Sequence, residues 1–398
     1  MDEGDKTVRT EHVARVACIC PDDLSTIIFC KTLSQMTREA GDWELTTVSP
    51  VYDYGEELKA LGTQHIPVAM ERYISPFRDL LYFWAIFRLV RRERFDVVIT
   101  FTTKPNIFAT VAARLADAGM VVMAVRGLGR AFIKPTGLKS RVLMRVVTFL
   151  YGMGCRAAER VWFTNRNDQD YFLDAGMIRA DQIFLTKNAV NLADYSHLSI
   201  APDSRERLSA ELGIAGSDKI VVMVARLIWS KGIREFCEAA ELLKDRLPQL
   251  RFLLVAPEEA DSPGAVPLEY IRASEARSRL QWLGFRKDVK ELYDLCDLSV
   301  LPSFYQEGGY PRALLEAMAF GKPIIGADTE TCRGPVDDGA NGYLVPPRDS
   351  EALANRIADV FADDDRRAAF GQTSLEKMRN EFDDRVVFRE LLDVVLPS

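Results

Sequence analysis

The sequence predicts an α/β protein of two Rossmann-like domains facing each other across a cleft, with a last helix crossing back to the first domain. Three observations predict it. Apolar strands alternate with helical stretches along most of the chain, as in open parallel sheets covered by helices. The alternation restarts after a polar stretch at 202–219, and an apolar-periodic segment at 383–395 follows the final strand. The expected domains are 1–200 together with 383–398, and 201–382.

In order, 13–20 reads as a strand, 25–40 as a helix, 44–48 as a strand and 65–69 as a short extended piece. Residues 76–92 read as helix, 96–101 as strand, 106–116 as helix, 120–125 as strand, 138–157 as a long helix and 160–164 as strand. The stretch 202–219 is rich in Asp, Ser, Gly and Glu and reads as the approach to a linker. After it come a strand at 220–225, a helix at 233–243 and strands at 252–256, 280–283, 298–301 and 323–326. No solenoid-period repeat is present.

With 398 residues, 48% of them hydrophobic and 27% charged, the chain has enough material for two domains. No apolar run approaches the roughly 20 residues of a membrane-spanning helix. The first residues, Met1-Asp2-Glu3-Gly4-Asp5-Lys6, are too polar and acidic for a secretory signal. Seven scattered cysteines without a CxxC pair fit reduced thiols in a cytosolic protein. Net charge is −7, yet 97–158 carries nine bases against one acid, Asp117. Such a local excess attracts phosphate, whether on a nucleic acid, a membrane surface or a phosphorylated lipid. The acidic whole argues against a general nucleic-acid binder.

The most informative run is 303–323. After a strand it offers an acid, Glu307, a glycine pair, Gly308 and Gly309, and a proline, Pro311, that opens a helix. A second acid, Glu316, lies within that helix. Helix dipoles and two carboxylates in one place suit a phosphorylated, hydroxyl-rich ligand such as a nucleotide sugar. Earlier in the same domain, Arg226 and Lys231 bracket the loop after the restart strand. Two cations there can hold a diphosphate and neutralise charge building on a leaving nucleotide.

With these residues in view, the chain resembles the family 4 retaining glycosyltransferases of GT-B fold, strongest over 219–349. That family's motif is Arg, four residues, Lys, and later Glu, seven residues, Glu-Ala. Arg226 and Lys231 match the first part, and Glu316-Ala317 the end of the second. Eight residues rather than seven separate Glu307 from Glu316, with Gly309 as the extra one. The family's Gly-x-x-Gly-x-x-Val-Pro segment is similar to Gly339–Pro346. The resemblance implies that Arg226, Lys231 and Glu307 are catalytic, and that Glu316, Gly308, Gly309, Tyr310, Phe285 and Arg286 bind the donor. In the first domain the segments 101–108 and 125–132 are similar to those of bacterial hexosamine transferases acting on undecaprenyl-diphosphate-linked sugars. Lys104, Asn106, Arg126, Gly129 and Arg130 are the implied acceptor ligands.

The resemblance thus implies transfer of a hexose or N-acetylhexosamine from a UDP-sugar to a polyprenyl-diphosphate-linked sugar in O-antigen, capsule or glycoprotein assembly. It implies no cofactor and no metal site, with protein cations standing where Mg²⁺ would. Two departures are visible. Cys20-Pro21-Asp22-Asp23 replaces a glycine-rich loop after the first strand, and Thr103 stands where many relatives place a histidine. His12, His65 and His197 are isolated and read as structural. The aromatic and basic helix at 76–94 and the apolar and basic one at 138–151 suit a membrane interface. The expected location is cytoplasmic, peripherally attached to the inner face of the membrane. Two alternatives remain at this level: a UDP-N-acetylglucosamine 2-epimerase-type isomerase, which needs acid/base residues around the sugar, and a non-catalytic partner subunit.

Overall fold

The computed structural model describes residues 13–71, 75–126, 138–259, 262, 264–305 and 309–396. They form two compact units, the first of residues up to Thr186 plus Val387 onward, the second Lys187–Val386.

The first unit holds seven strands: β1 (Ala14–Ile19), β2 (Trp43–Ser49), β3 (Gln64–Pro67), β4 (Val97–Phe101), β5 (Met120–Val125), β6 (Arg160–Phe163) and β7 (Ile183–Leu185). They make one parallel sheet in the order β3-β2-β1-β4-β5-β6-β7. The second unit holds β8 (Lys219–Val224), β9 (Leu250–Val255), β10 (Leu280–Gly284), β11 (Leu298–Leu301), β12 (Ile324–Ala327) and β13 (Gly342–Val345). Their order is β10-β9-β8-β11-β12-β13, again all parallel. Helices cover both faces, so central strands such as β4 and β11 are buried throughout and read as unbroken apolar runs. This is the Rossmann arrangement, and in each sheet the direction of winding reverses once: between β1 and β4, and between β8 and β11.

Three features differ from the sequence reading. The stretch taken as a linker contains a helix, Ser204–Leu212. Its surface is polar, but Leu208 and Leu212, one turn apart, are buried in the second core, and Gly213 ends it in the left-handed conformation. The helix expected over 106–116 is split. Pro105–Ala109 forms a π-helical turn in which the Thr110 N–H donates to the Pro105 carbonyl, and an α-helix continues over Thr110–Leu115. The edge strands β7 and β13 are too short to show as periodic runs.

The C-terminal helix, Asp384–Val395, returns the chain to the first unit from Val387. Phe388 packs edge-on against Trp162 of β6, ring centroids 5.8 Å apart. All seven cysteines are buried and outside any disulfide. Among the described residues no helix is long and apolar enough to cross a membrane.

Candidate functional site

In open α/β sheets ligands gather where winding reverses, beyond the carboxyl ends of the two diverging strands. In the second unit those ends are the loop after β8, with Arg226 and Lys231, and the loop after β11, which leads to the helix Arg312–Ala319. The two loops are stitched together. The Phe304 N–H donates to the Ser230 carbonyl at 3.0 Å, and the Ser303 hydroxyl reaches the same oxygen at 3.4 Å. Gly232, at φ +83°, lies against Pro302 and leaves no room for a β-carbon.

This stitching brings both cations onto one aromatic ring. The Arg226 guanidinium carbon lies 5.3 Å and the Lys231 Nζ 4.8 Å from the centre of the Tyr305 ring. Lys231 is buried, at 9% exposure, while Tyr305 stays 39% exposed. The face of a tyrosine offsets part of the repulsion between two neighbouring positive charges. A diphosphate would add charge-assisted hydrogen bonds, stronger than neutral ones.

From Gly309 onward the chain is again closely packed. Gly309 has φ +137° and abuts the Asn188 amide, whose Nδ2 donates to the Tyr310 carbonyl at 3.0 Å. The Tyr310 ring packs on Gly334 and edge-on against Phe382. Glu316, one turn into the following helix, accepts from Arg312 at 3.2 Å and 3.3 Å. Burial pushes its carboxyl above the usual carboxylate range, against the pull of Arg312 and a hydrogen bond from Tyr195. Burial and the charge of Glu316 in turn push the Tyr195 phenol up to about 12. The Lys290 Nζ lies 4.9 Å from the centre of the Tyr195 ring. Glu316 therefore sits among hydrogen-bonding and cationic groups able to position a hydroxylated ligand.

The remaining donor candidates divide. Phe285 is 70% exposed, a ring free to stack on a flat ligand. Arg286 is taken up by this chain's own acids: Asp288 accepts from its Nε at 2.8 Å and Nη2 at 2.6 Å, and Glu211 from its Nη1 at 2.5 Å. These bonds raise its pKa further above the ordinary guanidinium value. Arg286 therefore ties its loop to the helix Ser204–Leu212. Glu307, Gly308, Gly129, Arg130 and His12 lie outside the described residues.

In the first unit the reversal point lies between the ends of β1 and β4. After β1, Asp22 caps the helix Asp23–Ala40 by accepting from the Ser25 N–H at 2.7 Å. Asp23 accepts from the N–H groups of Tyr52 at 2.6 Å and Tyr54 at 3.0 Å. The segment that replaces a glycine-rich loop thus caps a helix and anchors a neighbouring loop. After β4, Thr102 holds φ +72°, a strained value for a β-branched residue, and the π-turn follows at once. The Lys104 Nζ donates to Asp79 Oδ1 at 2.6 Å and to the Glu71 carbonyl at 2.7 Å.

Asn106 is a correction to the sequence reading. It is fully buried; its Oδ1 accepts from Thr100, and its Nδ2 donates to the Ala124 carbonyl at 2.8 Å and meets the Tyr151 hydroxyl at 3.0 Å. Its amide braces the sheet to the helix Leu138–Ala157 and is buried away from solvent. Arg126 lies between Phe29 and Trp162, 5.3 Å from each ring centre. His65 pairs with the Thr47 hydroxyl and His197 with Asp294.

Sequence reasoning missed Tyr305, Tyr195, Arg312 and Lys290. Tyr305 and Arg312 stood inside the informative run but match no part of the motif. Tyr195 and Lys290 reach Glu316 from distant segments, and no local signal marks them.

Comparison with known proteins agrees with this architecture. The model of the glycosyl transferases group 1 matches residues 204–377, and that of the glycosyl transferase 4-like domain residues 30–189. The chain is 26% identical over 351 residues to the N,N'-diacetylbacillosaminyl-diphospho-undecaprenol alpha-1,3-N-acetylgalactosaminyltransferase of Campylobacter jejuni, covering 88% of this chain and 90% of that one. It is 26% identical over 294 residues to the UDP-Gal:alpha-D-GlcNAc-diphosphoundecaprenol alpha-1,3-galactosyltransferase of Escherichia coli, covering 73% of each. The crystal structure of Anabaena Alr3699/HepE in complex with UDP superposes with a TM-score of 0.72 at 20% identity, over 96% of this chain and 99% of that one. That likeness establishes the fold.

Proposed function

Because the chain is a GT-B glycosyltransferase, carrying group 1 and 4-like domains, we propose that it moves a hexose or N-acetylhexosamine from a UDP-sugar to a polyprenyl-diphosphate-linked sugar in bacterial glycan assembly. The observation that carries this reading is the convergence of Arg226 and Lys231 on Tyr305 at the β8/β11 reversal point. In this reading the two cations hold the donor diphosphate. As the bond from the sugar to the diphosphate breaks, negative charge grows on the departing phosphate, so fixed cations favour the transition state over the ground state. Glu316, set among Tyr195, Arg312 and Lys290, takes the ribose hydroxyls, and Phe285 stacks on the base.

The reaction retains the anomeric configuration, the leaving phosphate accepting the proton of the acceptor hydroxyl. It proceeds without a metal ion, Arg226 and Lys231 carrying the charge of the diphosphate. The enzyme works at the cytoplasmic face of the membrane, attached peripherally. The similarity to two relatives named for undecaprenol-linked substrates supports the acceptor class, and the aromatic and basic helix Pro76–Glu93 supports the attachment.

The test is a thermal-shift screen of nucleotides and nucleotide sugars, then transfer from the donor that binds to a polyprenyl-diphosphate-linked sugar with and without excess chelator. A ligand of the folded state raises the melting temperature by mass action. UDP and one UDP-sugar should do so, and NMR of the product should show the donor's anomeric configuration. A shift only with GDP-sugars, an inverted product, or activity abolished by chelation and restored by Mg²⁺ would each overturn the corresponding part.

A further inference from the structure

The first unit contains a cavity of about 700 Å³, within the size range of small-ligand sites. Leu80 and Phe83 line it from the helix Pro76–Glu93, Ile107 and Val111 from the π-turn and the helix after it, and Val147 and Leu150 from the helix Leu138–Ala157. Its described polar residues are Asp79, Thr103 and Lys104. Thr103 and Lys104 lie in the loop that leaves β4 at the reversal point of the sheet. Gly154 sets how closely the long helix approaches the π-turn, since a β-carbon there would come within 2.4 Å of the Asn106 carbonyl oxygen.

We propose that this cavity takes the isoprenoid chain next to the diphosphate of the lipid-linked acceptor. The inference rests on the transferase reading and deepens it. Charge argues for a hydrocarbon occupant. The ammonium of Lys104 is matched by the Asp79 carboxylate at 2.6 Å, both nearly buried, so the pair brings no net charge to the cavity. An anionic head group would find little attraction inside it, whereas an apolar chain removes its own surface and that of the walls from water.

Position argues for the acceptor's chain over an acyl chain of the bilayer. Thr103 and Lys104 of the β4 loop line part of the cavity, and the reversal rule places a polar ligand at that loop, so an amphiphile can lay its chain in the cavity with its head beside the loop. An acyl chain anchored in a bilayer has no need of a hollow that borders this loop. The same helices expose Phe77, Leu81, Trp84 and Phe149, none of which lines the cavity, so a bilayer has other apolar side chains to meet.

The experiment uses the full chain in detergent-free buffer, without donor. Inorganic diphosphate, geranyl diphosphate and farnesyl diphosphate are titrated calorimetrically, with anionic phospholipid vesicles as a separate arm. Each added isoprene unit should tighten binding at least about tenfold, the scale expected for burying several methylene-sized groups. The cavity-filling variants Val111→Trp and Leu150→Trp should abolish that dependence on chain length. Wild-type melting and an unchanged response to UDP verify their fold. Should either fail to fold, Leu80→Trp at the half-exposed rim replaces it. Unchanged farnesyl diphosphate binding in folded, filled variants overturns the proposal. So does chain binding seen only with vesicles and indifferent to filling, which would mark a membrane face. Because chain binding is read without transfer, absent transfer with chain binding intact counts against the transferase reading alone.

Discussion

Gly232 lies against Pro302 so closely that a β-carbon on it would come within 2.4 Å of the Pro302 carbonyl oxygen. This contact joins the loop that carries Arg226 and Lys231 to the loop that carries Tyr305. Gly232→Ala must relieve a clash with backbone and hold alanine at φ +83°, a strain on the order of 1–3 kcal/mol. The expected outcome is a lower melting temperature and a weakened thermal shift with UDP, since the cations lose their register on Tyr305. A variant as stable and as responsive as wild type would mean that the loops tolerate separation.

The cation pair itself gives a graded prediction. Lys231→Ala and Arg226→Ala should each lower kcat by at least about 100-fold, the scale of removing one contact that strengthens in the transition state. Tyr305→Leu keeps both charges and removes the ring, worth roughly 0.5–2 kcal/mol, so a loss of about tenfold is expected. Kinetics at saturating donor check the order. Equal losses for Tyr305→Leu and Lys231→Ala would show that the ring does more than seat the cations.

How much of this site was legible follows from where each signal lives. Arg226 and Lys231 could be read because a strand, a loop and a helix follow one another within a few residues, and local order predicts where such a loop faces. Tyr195 could not, because it meets Glu316 from a segment far away in sequence. Asn106 was misread for a related reason. Its position after β4 looks exposed, but the π-turn begun at Pro105 places its amide in the interior. The helix Ser204–Leu212 was hidden because only Leu208 and Leu212 of its residues carry the apolar signal, and its other positions resemble a linker.

Glu316 gives a prediction with a definite sign in pH. Burial raises its carboxyl pKa in the folded protein above the unfolded value of about 4.3. Between those two values the folded state binds more protons than the unfolded one, so this group's contribution to stability falls as pH rises through the window. Above it the cost of a buried carboxylate is present in full. Glu316→Gln removes that cost, so the variant should melt no lower than wild type at neutral pH. The melting difference in its favour should grow as pH is raised from about 4 to 7. It should also lose the thermal shift with UDP, stability gained at the expense of binding. A variant that is destabilised most at neutral pH would show instead that the pair with Arg312 outweighs burial.

The last prediction separates a brace from a ligand. Asn106 bonds Thr100, the Ala124 carbonyl and Tyr151, all inside the first unit. Asn106→Ala leaves the buried Ala124 carbonyl and the Tyr151 hydroxyl without this partner, at about 1–3 kcal/mol for each group left unsatisfied. Thr100 keeps its bond with Thr110 at 2.8 Å and adds less. The expected result is a clear fall in denaturation midpoint, with the KM for acceptor, measured well below melting, within about twofold of wild type. Asn106→Asp tests the same network differently. It keeps an acceptor for Thr100 but offers the Ala124 carbonyl no hydrogen and places a charge in the core, so it should destabilise at least as much as alanine. A large rise in acceptor KM with stability intact would return Asn106 to the acceptor site, and the π-turn would then have to open when the acceptor binds.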